Sequence, residues 1–186
     1  MKRNGQRYGL CDKWLFSLTT YLISLNPEFI MDIANYFDKD SILFGSNQKD
    51  KKGIISFMLD NLVSCNKLNK RSKKDILTTI IQREEMGSTA IGGNIALPHA
   101  RINSIKEMIL SLCIVEDGVD FDSLDEKPVN VVVLLLSNKM QAGIHLKALA
   151  FLARMLSDNY FVQALKKSKD KEKVISLLVK QQQAVS

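Results

Sequence analysis

Residues suited to metal binding or disulfide formation are scarce in this chain, which has two histidines and three cysteines among 186 residues. The cysteines, Cys11, Cys65 and Cys113, are widely spaced and form no C-x-x-C pair. This argues against a disulfide framework and predicts a reducing, cytoplasmic location. Two histidines and scattered acidic residues match no zinc-ligand spacing. We therefore expect no metal and no other cofactor.

The chain also lacks a block of charge of one sign, although its formal net charge is +6 at pH 7. The positive charge is dispersed, apart from local clusters at 49–52 and 70–74. Such clusters can contact nucleic acid or an acidic surface. No zinc-finger spacing or aromatic stacking platform accompanies them. We therefore interpret them as solvated helix ends and expect no nucleic-acid partner.

The length predicts a single domain, which we assign to residues 31–186, with residues 1–30 as an N-terminal extension. In the extension, basic residues precede an apolar stretch, an order also found in secretory signals. Hydroxyl residues interrupt this stretch and no cleavage site follows it. At about a dozen residues it is also too short to span a bilayer as a helix. We expect an amphipathic helix that ends near Asn26-Pro27, without stable membrane insertion. An alternative is that Met31 is the true start and that residues 1–30 are not part of the functional protein.

Hydrophobic periodicity predicts helices on either side of a group of strands. Apolar residues recur with helical spacing from Lys52 to Val63 and again from Ser72, which has Asp75 three places on as a variant of the capping box. Near-continuous apolar runs are typical of strands buried on both faces. This order of elements predicts an α/β sandwich. The predicted strands are Ile95–Leu97, Met108–Val115 and Val129–Leu136, and the later helices are Gly143–Leu156, Asn159–Lys167 and Lys171–Lys180.

The most informative segment places a histidine after a proline, at the end of a short strand and beside a glycine-rich loop. Pro98 fixes its own φ and keeps the preceding residue extended, so the strand presents His99 in a defined direction. Gly92 and Gly93 permit close backbone approach and N–H nests that bind anions. This environment suits a histidine that carries a phosphoryl group.

Other residues of the segment have two interpretations each. Arg83 lies in the last turn of the predicted second helix, which Gly87 ends. Its guanidinium could hold two phosphoryl oxygens, or it could serve only the helix dipole. Ser88 and Thr89 could add hydroxyl donors to a phosphoryl site, or could merely complete the turn.

The second histidine, His145, begins a predicted helix and falls on the same face as Leu149, Leu152 and Leu156. Its ring is therefore expected to point toward the core. A position near a helix N-terminus favours the neutral imidazole, because the dipole opposes a positive charge there. A neutral ring could donate a hydrogen bond to a phosphoryl oxygen, or could be a core histidine satisfied by a carbonyl. Periodicity does not decide between the two.

The segment 83–99, REEMGSTAIGGNIALPH, closely resembles the phosphohistidine signature of a known family. This family is the fructose/mannitol-type (type 2) enzyme IIA domains of the bacterial phosphotransferase system. The R-E-E-M-G-S-T wording is most similar to the nitrogen-regulatory branch. The resemblance extends from Met31 to Leu178 and includes segment 121–129 and the helix that begins at His145. Residues 1–30 lie outside it.

The resemblance implies a fold, namely a three-layer α/β/α sandwich around a mixed β-sheet. It also implies that His99 is phosphorylated on Nε2 and that His145 and Arg83 line the phosphoryl site. We expect N–H groups of the glycine-rich loop to assist them.

The chain departs from the family pattern at two places, neither of which removes a reacting group. Ala90 stands where the family usually has glycine, which should stiffen the loop modestly. Ser137-Asn138 replaces the usual proline-containing turn after the strand.

The function implied is that of a cytoplasmic phosphocarrier, a phosphotransferase that accepts a phosphoryl group on His99 from the phosphohistidine of a small phosphocarrier protein. Two roles stay open. The phosphorylated protein could regulate a target protein, or it could pass phosphate to a IIB subunit of a fructose- or mannitol-type transporter. No fused transporter subunit or cysteine-centred phosphorylation domain accompanies this chain, which favours the regulatory role as an expectation.

Overall fold

The structure, a computed structural model, describes residues 31–186 of the chain. The helix expected within residues 1–30 lies outside the described residues. The strands are β1 Phe37–Phe44, β2 Ala90–Gly92, β3 Ile95–Ala96, β4 His99–Ile102, β5 Ile109–Val119 and β6 Val129–Asn138. The α-helices are α1 Lys51–Ser64, α2 Lys73–Glu85, α3 Ala142–Leu156, α4 Asn159–Lys166 and α5 Lys171–Val185, and short 3-10 turns cover Ile33–Tyr36 and Lys70–Ser72.

The six strands form one mixed sheet in the order β1-β5-β6-β3-β2, with β4 also paired to β6. Strand β5 runs antiparallel to β6, whereas β1 is parallel to β5, and β3 and β4 are parallel to β6. Strand β6 lies at the centre, and nine of its ten residues are buried. Burial on both faces explains why the strand reads as a continuous apolar run.

Alternate residues of the central strands face two separate hydrophobic cores. Val131, Val133 and Leu135 of β6 pack with α3, α4 and α5 on one face. Val132 and Leu134 pack with α1 and α2 on the other. The period-2 alternation of a strand thus sends successive side chains into opposite helical layers. The predicted three-layer α/β/α sandwich around a mixed sheet is confirmed.

The predicted strand Ile95–Leu97 corresponds to β3, and Pro98 separates it from a further strand, β4, that keeps the same register on β6. Ile95 pairs with Val131 and His99 with Leu135, so the offset is the same before and after the proline. Pro98 has no N–H to donate, but its carbonyl accepts from the Leu135 N–H at 3.0 Å. His99 is therefore the first residue of β4 rather than the last of the preceding strand.

The start of α2 was predicted correctly, but the capping box was wrong. The Ser72 side chain makes no capping hydrogen bond, and its backbone is helical. The Asn69 side chain instead accepts from the Arg71 N–H at 2.9 Å, at the start of a 3-10 turn that leads into the helix. At the other end, Gly87 follows the last turn with φ +149° and donates its N–H to the Glu84 carbonyl, as expected of a glycine there.

Ser137-Asn138 does not form a turn, which corrects the expectation from sequence. Both residues belong to β6, where they pair with Arg101 and Ile102 of β4. Unlike proline, serine and asparagine keep the N–H that a β-ladder needs, so the strand continues to Asn138. The turn follows at residues 139–140.

Two further features concern a cysteine in the core and the lengths of the helices. Cys113 is fully buried in β5, where burial raises the pKa of its thiol to about 12, as expected of a core residue. None of the helices within residues 31–186 is both long and apolar enough to cross a bilayer.

The cap at Asn69 can be tested by denaturation. Asn69→Ala should lower the free energy of unfolding by about 1 kcal/mol, because the Arg71 N–H loses its acceptor. The matched control Ser72→Ala should change it by less than about 0.5 kcal/mol. Urea denaturation followed by circular dichroism measures both. A larger loss in Ser72→Ala than in Asn69→Ala would show that the serine is the cap.

Candidate functional site

His99 is held at the start of β4 with one ring nitrogen engaged. Its Nδ1 lies 2.8 Å from the Leu97 carbonyl oxygen. A carbonyl can only accept, so Nδ1 carries the proton and donates it. The neutral ring therefore has its lone pair on Nε2, which makes no hydrogen bond to the described residues. The half-buried imidazole thus offers Nε2 as a nucleophile.

The surroundings of His99 favour this neutral form. Burial lowers the pKa of His99, and the positive charge of Arg83 lowers it further. The Leu97 carbonyl and the Glu84 carboxylate act in the opposite direction without overcoming the burial. An unprotonated nitrogen is what an attack on phosphorus requires.

His145 lies in the first turn of α3, on the same side of the sheet as the His99 ring. The two ring centroids are 5.5 Å apart and the ring planes are tilted by 58°. Leu152 and Leu156 are buried in the core on that side and Leu149 packs against it, so the predicted inward helix face is confirmed. His145 itself is 5% exposed.

The hydrogen bond of His145 does not go to a carbonyl. Its Nδ1 lies 2.7 Å from the hydroxyl oxygen of Ser137, which is fully buried in β6. Burial lowers the pKa of His145 to about 4, and the charges of His99 and Arg101 add to the effect. The ring is therefore neutral at pH 7. The core-histidine alternative is right about the burial, but the hydrogen-bond partner is the Ser137 hydroxyl and not a carbonyl.

Arg83 lies in the last turn of α2, as predicted. Its Nη1 donates to the Gly87 carbonyl at 2.9 Å, and its charge is close enough to lower the pKa of His99. A guanidinium has five N–H donors, so most of them stay available after this bond. Arg83 thus binds the carbonyl of the glycine that follows α2, and it adds positive charge beside His99.

The hydroxyls of the glycine-rich loop are engaged inside the protein. Ser88 Oγ donates to the Phe121 carbonyl at 2.5 Å and accepts from the Ala90 N–H at 3.2 Å. Thr89 Oγ1 donates to the buried carboxylate of Glu84, which also accepts the Thr89 N–H at 3.1 Å. These bonds fit the interpretation in which both residues complete the turn. A phosphoryl-binding role for them stays a prediction.

The two predicted loop glycines form a sharp turn. Gly92 and Gly93 have φ of +81° and +62°, values that side chains rarely adopt. The Gly93 N–H is directed to Asp125 Oδ2 at 3.3 Å. The turn therefore rests on the loop before β6, and a role for either glycine at a phosphoryl group also stays a prediction.

The chain also matches known proteins. Residues 35–181 match the family model of the phosphoenolpyruvate-dependent sugar phosphotransferase system, EIIA 2. The chain belongs to this family.

Individual relatives include both regulatory and sugar-specific proteins. A nitrogen regulatory protein of Bradyrhizobium diazoefficiens is 32% identical over 60% of this chain and 72% of its own length. A fructose-specific EIIA component of Haloferax volcanii is 26% identical over 80% of this chain and 96% of its own. The crystal structure of nitrogen regulatory protein IIA-Ntr from Neisseria meningitidis superposes with a TM-score of 0.71. It is 26% identical to this chain and covers 78% of it and 98% of its own length.

Three residues that act on His99 or His145, or on the loop beside them, were missed from sequence. Glu84 is 2% exposed and holds Thr89, and it continues the buried stripe of Ile76 and Ile80 at helical spacing. Arg101 is two residues after His99 on β4, and this strand period places its charge near His145. Ser137 stood out in the sequence only as a departure from the family's turn, because its contact to His145 arises only when α3 packs on the sheet.

No metal is indicated by the described part of the chain. Within residues 31–186, no group of three or more His, Cys, Asp or Glu residues is arranged to hold an ion. The site itself brings together two neutral imidazoles with arginine charge beside them.

The low pKa of His145 predicts a loss of stability in acid. Between the ordinary histidine pKa of 6.5 and the folded value of about 4, the unfolded chain binds a proton that the folded protein does not. Stability should therefore fall as the pH drops through this window, by on the order of 3 kcal/mol at pH 4. The comparison is with His145→Gln, in which urea denaturation from pH 7 to 4 should show a shallower loss. Equal pH dependence in both proteins would contradict the assignment.

Proposed function

We propose that this chain is a histidine phosphocarrier that accepts a phosphoryl group on His99 Nε2 from the phosphohistidine of a small phosphocarrier protein. The observation that carries the proposal is the hydrogen bond from His99 Nδ1 to the Leu97 carbonyl, which leaves Nε2 unprotonated. The His99 ring centroid lies 5.5 Å from that of a second neutral ring, His145. Membership of the EIIA 2 family supports the same chemistry.

The transfer step needs no proton movement when the donor's phosphohistidine ring carries a proton on its other nitrogen, so that it leaves as a neutral imidazole. The Nε2 lone pair of His99 forms a bond to phosphorus while the donor's P–N bond breaks and returns its electron pair to the donor ring. Nδ1 of His99 keeps its proton. The Leu97 carbonyl, which accepts the hydrogen bond from this N–H, stabilises the positive charge that the ring gains.

Stabilisation of the moving charge is assigned to His145 and Arg83. Phosphoryl transfer depends mainly on positioning and on electrostatic stabilisation of the equatorial oxygens. A neutral His145 can donate one hydrogen bond to such an oxygen. Arg83 keeps further N–H donors besides the one on Gly87. The loop that includes Ser88, Thr89, Gly92 and Gly93 is proposed to supply secondary contacts to the phosphoryl group.

The proposed partner face surrounds the two histidines. Large apolar side chains are exposed beside the site, at Met86 after α2 (84% exposed) and at Met140 before α3 (89% exposed). Exposed Arg101 and Lys139 add positive charge. An apolar centre with charged surroundings suits a short-lived protein encounter, in which a negatively charged phosphoryl group is brought in.

The proposed role is regulatory, with transport as the alternative. Likeness to nitrogen regulatory proteins supports regulation of a target protein, and likeness to a fructose-specific EIIA component supports transfer to a fructose- or mannitol-type IIB subunit. Transfer from the phosphorylated chain to such a IIB domain distinguishes the two.

The proposed phosphocarrier domain is residues 31–186, to which residues 1–30 are an extension. The cytoplasm is the proposed compartment, which the free Cys65 and Cys113 support.

Phosphorylation of the whole chain tests the central proposal. Incubation with phosphoenolpyruvate, enzyme I and the phosphocarrier protein should add one phosphoryl group, labile to acid and stable to base, as an intact mass measurement shows. His99→Ala should abolish the addition, while His145→Ala should slow it roughly 100-fold through loss of one positioned donor. Circular dichroism verifies that the variants fold. Full labelling of His99→Ala would overturn the assignment.

Arg83→Lys separates geometry from charge at the site. If the guanidinium binds two phosphoryl oxygens, lysine should restore only part of the transfer rate lost in Arg83→Ala, because it is a point charge. Single-turnover transfer at equal donor concentration measures the three proteins. Wild-type rates in Arg83→Lys would reduce Arg83 to a general positive charge.

A further inference from the structure

The contact between Ser137 and His145 joins the sheet to the second imidazole. Ser137 is the ninth residue of β6, fully buried, and its side chain is on the same face as the His99 ring. Its Oγ lies 2.7 Å from His145 Nδ1 across the space between the sheet and α3. This is a side-chain bond from one rigid element to another, so it holds the ring in one orientation.

The direction of this hydrogen bond follows from the partners present. A hydroxyl has one proton to donate, whereas an imidazole nitrogen can donate or accept. Among the described residues, His145 Nδ1 is the only hydrogen-bond partner of Ser137 Oγ. If Nδ1 donated, the buried hydroxyl proton would have no acceptor there, which is unfavourable. Ser137 therefore donates and Nδ1 accepts.

A donating serine decides the tautomer of His145. With Nδ1 accepting, the ring proton of a neutral imidazole sits on Nε2. The His145 Nε2 makes no hydrogen bond within residues 31–186. Among these residues, the one buried side-chain nitrogen or oxygen without a hydrogen-bond partner is Ser168 Oγ. His145 Nε2 has no partner either, so it is not fully buried. The Nε2 proton is therefore free to bind an incoming group.

We propose that Ser137 is a positioning residue that keeps the His145 proton on Nε2, so that it can donate to the phosphoryl group on His99. The proposal rests on the proposed phosphocarrier function. Ser137 touches neither the donor nor the phosphoryl group and acts only through His145. The bond couples the end of β6 to the site in a way that an alanine there could not.

Charges around the pair do not replace the serine. The titratable or charged groups that act on His145 are His99 and Arg101, both on β4. Arg83 and Glu84 on α2 act on His99. Neither His99 nor Arg101 makes a hydrogen bond to His145 Nδ1, so the Ser137 hydroxyl is the group that selects the tautomer.

The first test needs no phosphate. The chain has two histidines, so long-range proton–nitrogen NMR correlations of the ¹⁵N-histidine-labelled protein at pH 7 contain two rings, and His99→Ala assigns them. His145 should be the Nε2–H tautomer in the wild type and a mixture in Ser137→Ala. His99, held by the Leu97 carbonyl, should keep its Nδ1–H form in both proteins. An Nδ1–H form of His145 in the wild type, or no change in Ser137→Ala, would overturn the proposal.

The second test measures transfer. Ser137→Ala should slow single-turnover phosphorylation of His99 about tenfold, because the His145 proton is then on Nε2 only part of the time and the ring is less well positioned. Ser137→Cys keeps a weak proton donor and should fall between the two. The matched control is Ser111→Ala. Ser111 is equally buried in the same sheet, and its hydroxyl donates to the Ser41 carbonyl at 2.8 Å on the opposite face. The control should transfer at the wild-type rate.

A double variant separates positioning from structural damage. If Ser137 acts through His145, then adding Ser137→Ala to His145→Ala should slow transfer no further. An additional tenfold loss in that background, or an equal loss in Ser111→Ala, would show a merely structural role and overturn the proposal. If the wild type accepts no phosphoryl group at all, the proposed function fails. The tautomer measurement then still decides whether Ser137 positions His145.

Discussion

Strand β6 pairs along one edge with β5 and along the other with β3 and β4, and every other feature of the molecule depends on this pairing. The constant register of β3 and β4 on β6 carries the chain past Pro98 without a shift. As a result His99 and Ser137 lie on the same face of the sheet, toward α3. A slip of one residue would send both side chains to the opposite helical layer. The site is thus a consequence of strand register.

The electrostatics of the site arise from burial combined with arginine charge. Burial lowers the pKa of both histidines, and nearby positive charge from Arg83 and Arg101 adds to the effect. The same arginines that keep the rings neutral would attract a phosphoryl group. The positive charge of the arginines therefore does not interfere with His99 as a nucleophile. It keeps the imidazoles unprotonated before transfer.

Much of the fold was predictable because its signals are local. Strands β5 and β6 and helices α3, α4 and α5 were located to within a few residues from apolar runs and helical spacing. Strand β1 was not, since Asp38, Lys39 and Asp40 interrupt its apolar pattern and its pairing with β5 is distant in the chain. The start of α2 was predicted from a capping box at Ser72, but the Ser72 side chain caps nothing. The cap is made by Asn69 on the preceding 3-10 turn, three residues before the position that the capping-box pattern indicates.

The sequence by itself determined the family, the sandwich fold and three residues that meet at one site, His99, His145 and Arg83. Each stands in a motif or a periodic pattern within a single element. Only the tertiary structure decided how they are arranged: the 5.5 Å separation of the rings, the Leu97 carbonyl on His99 and the Ser137 hydroxyl on His145. The tautomer of each histidine depends on which group meets its Nδ1. For His145 that group comes from another element, so packing between the sheet and α3 selects it.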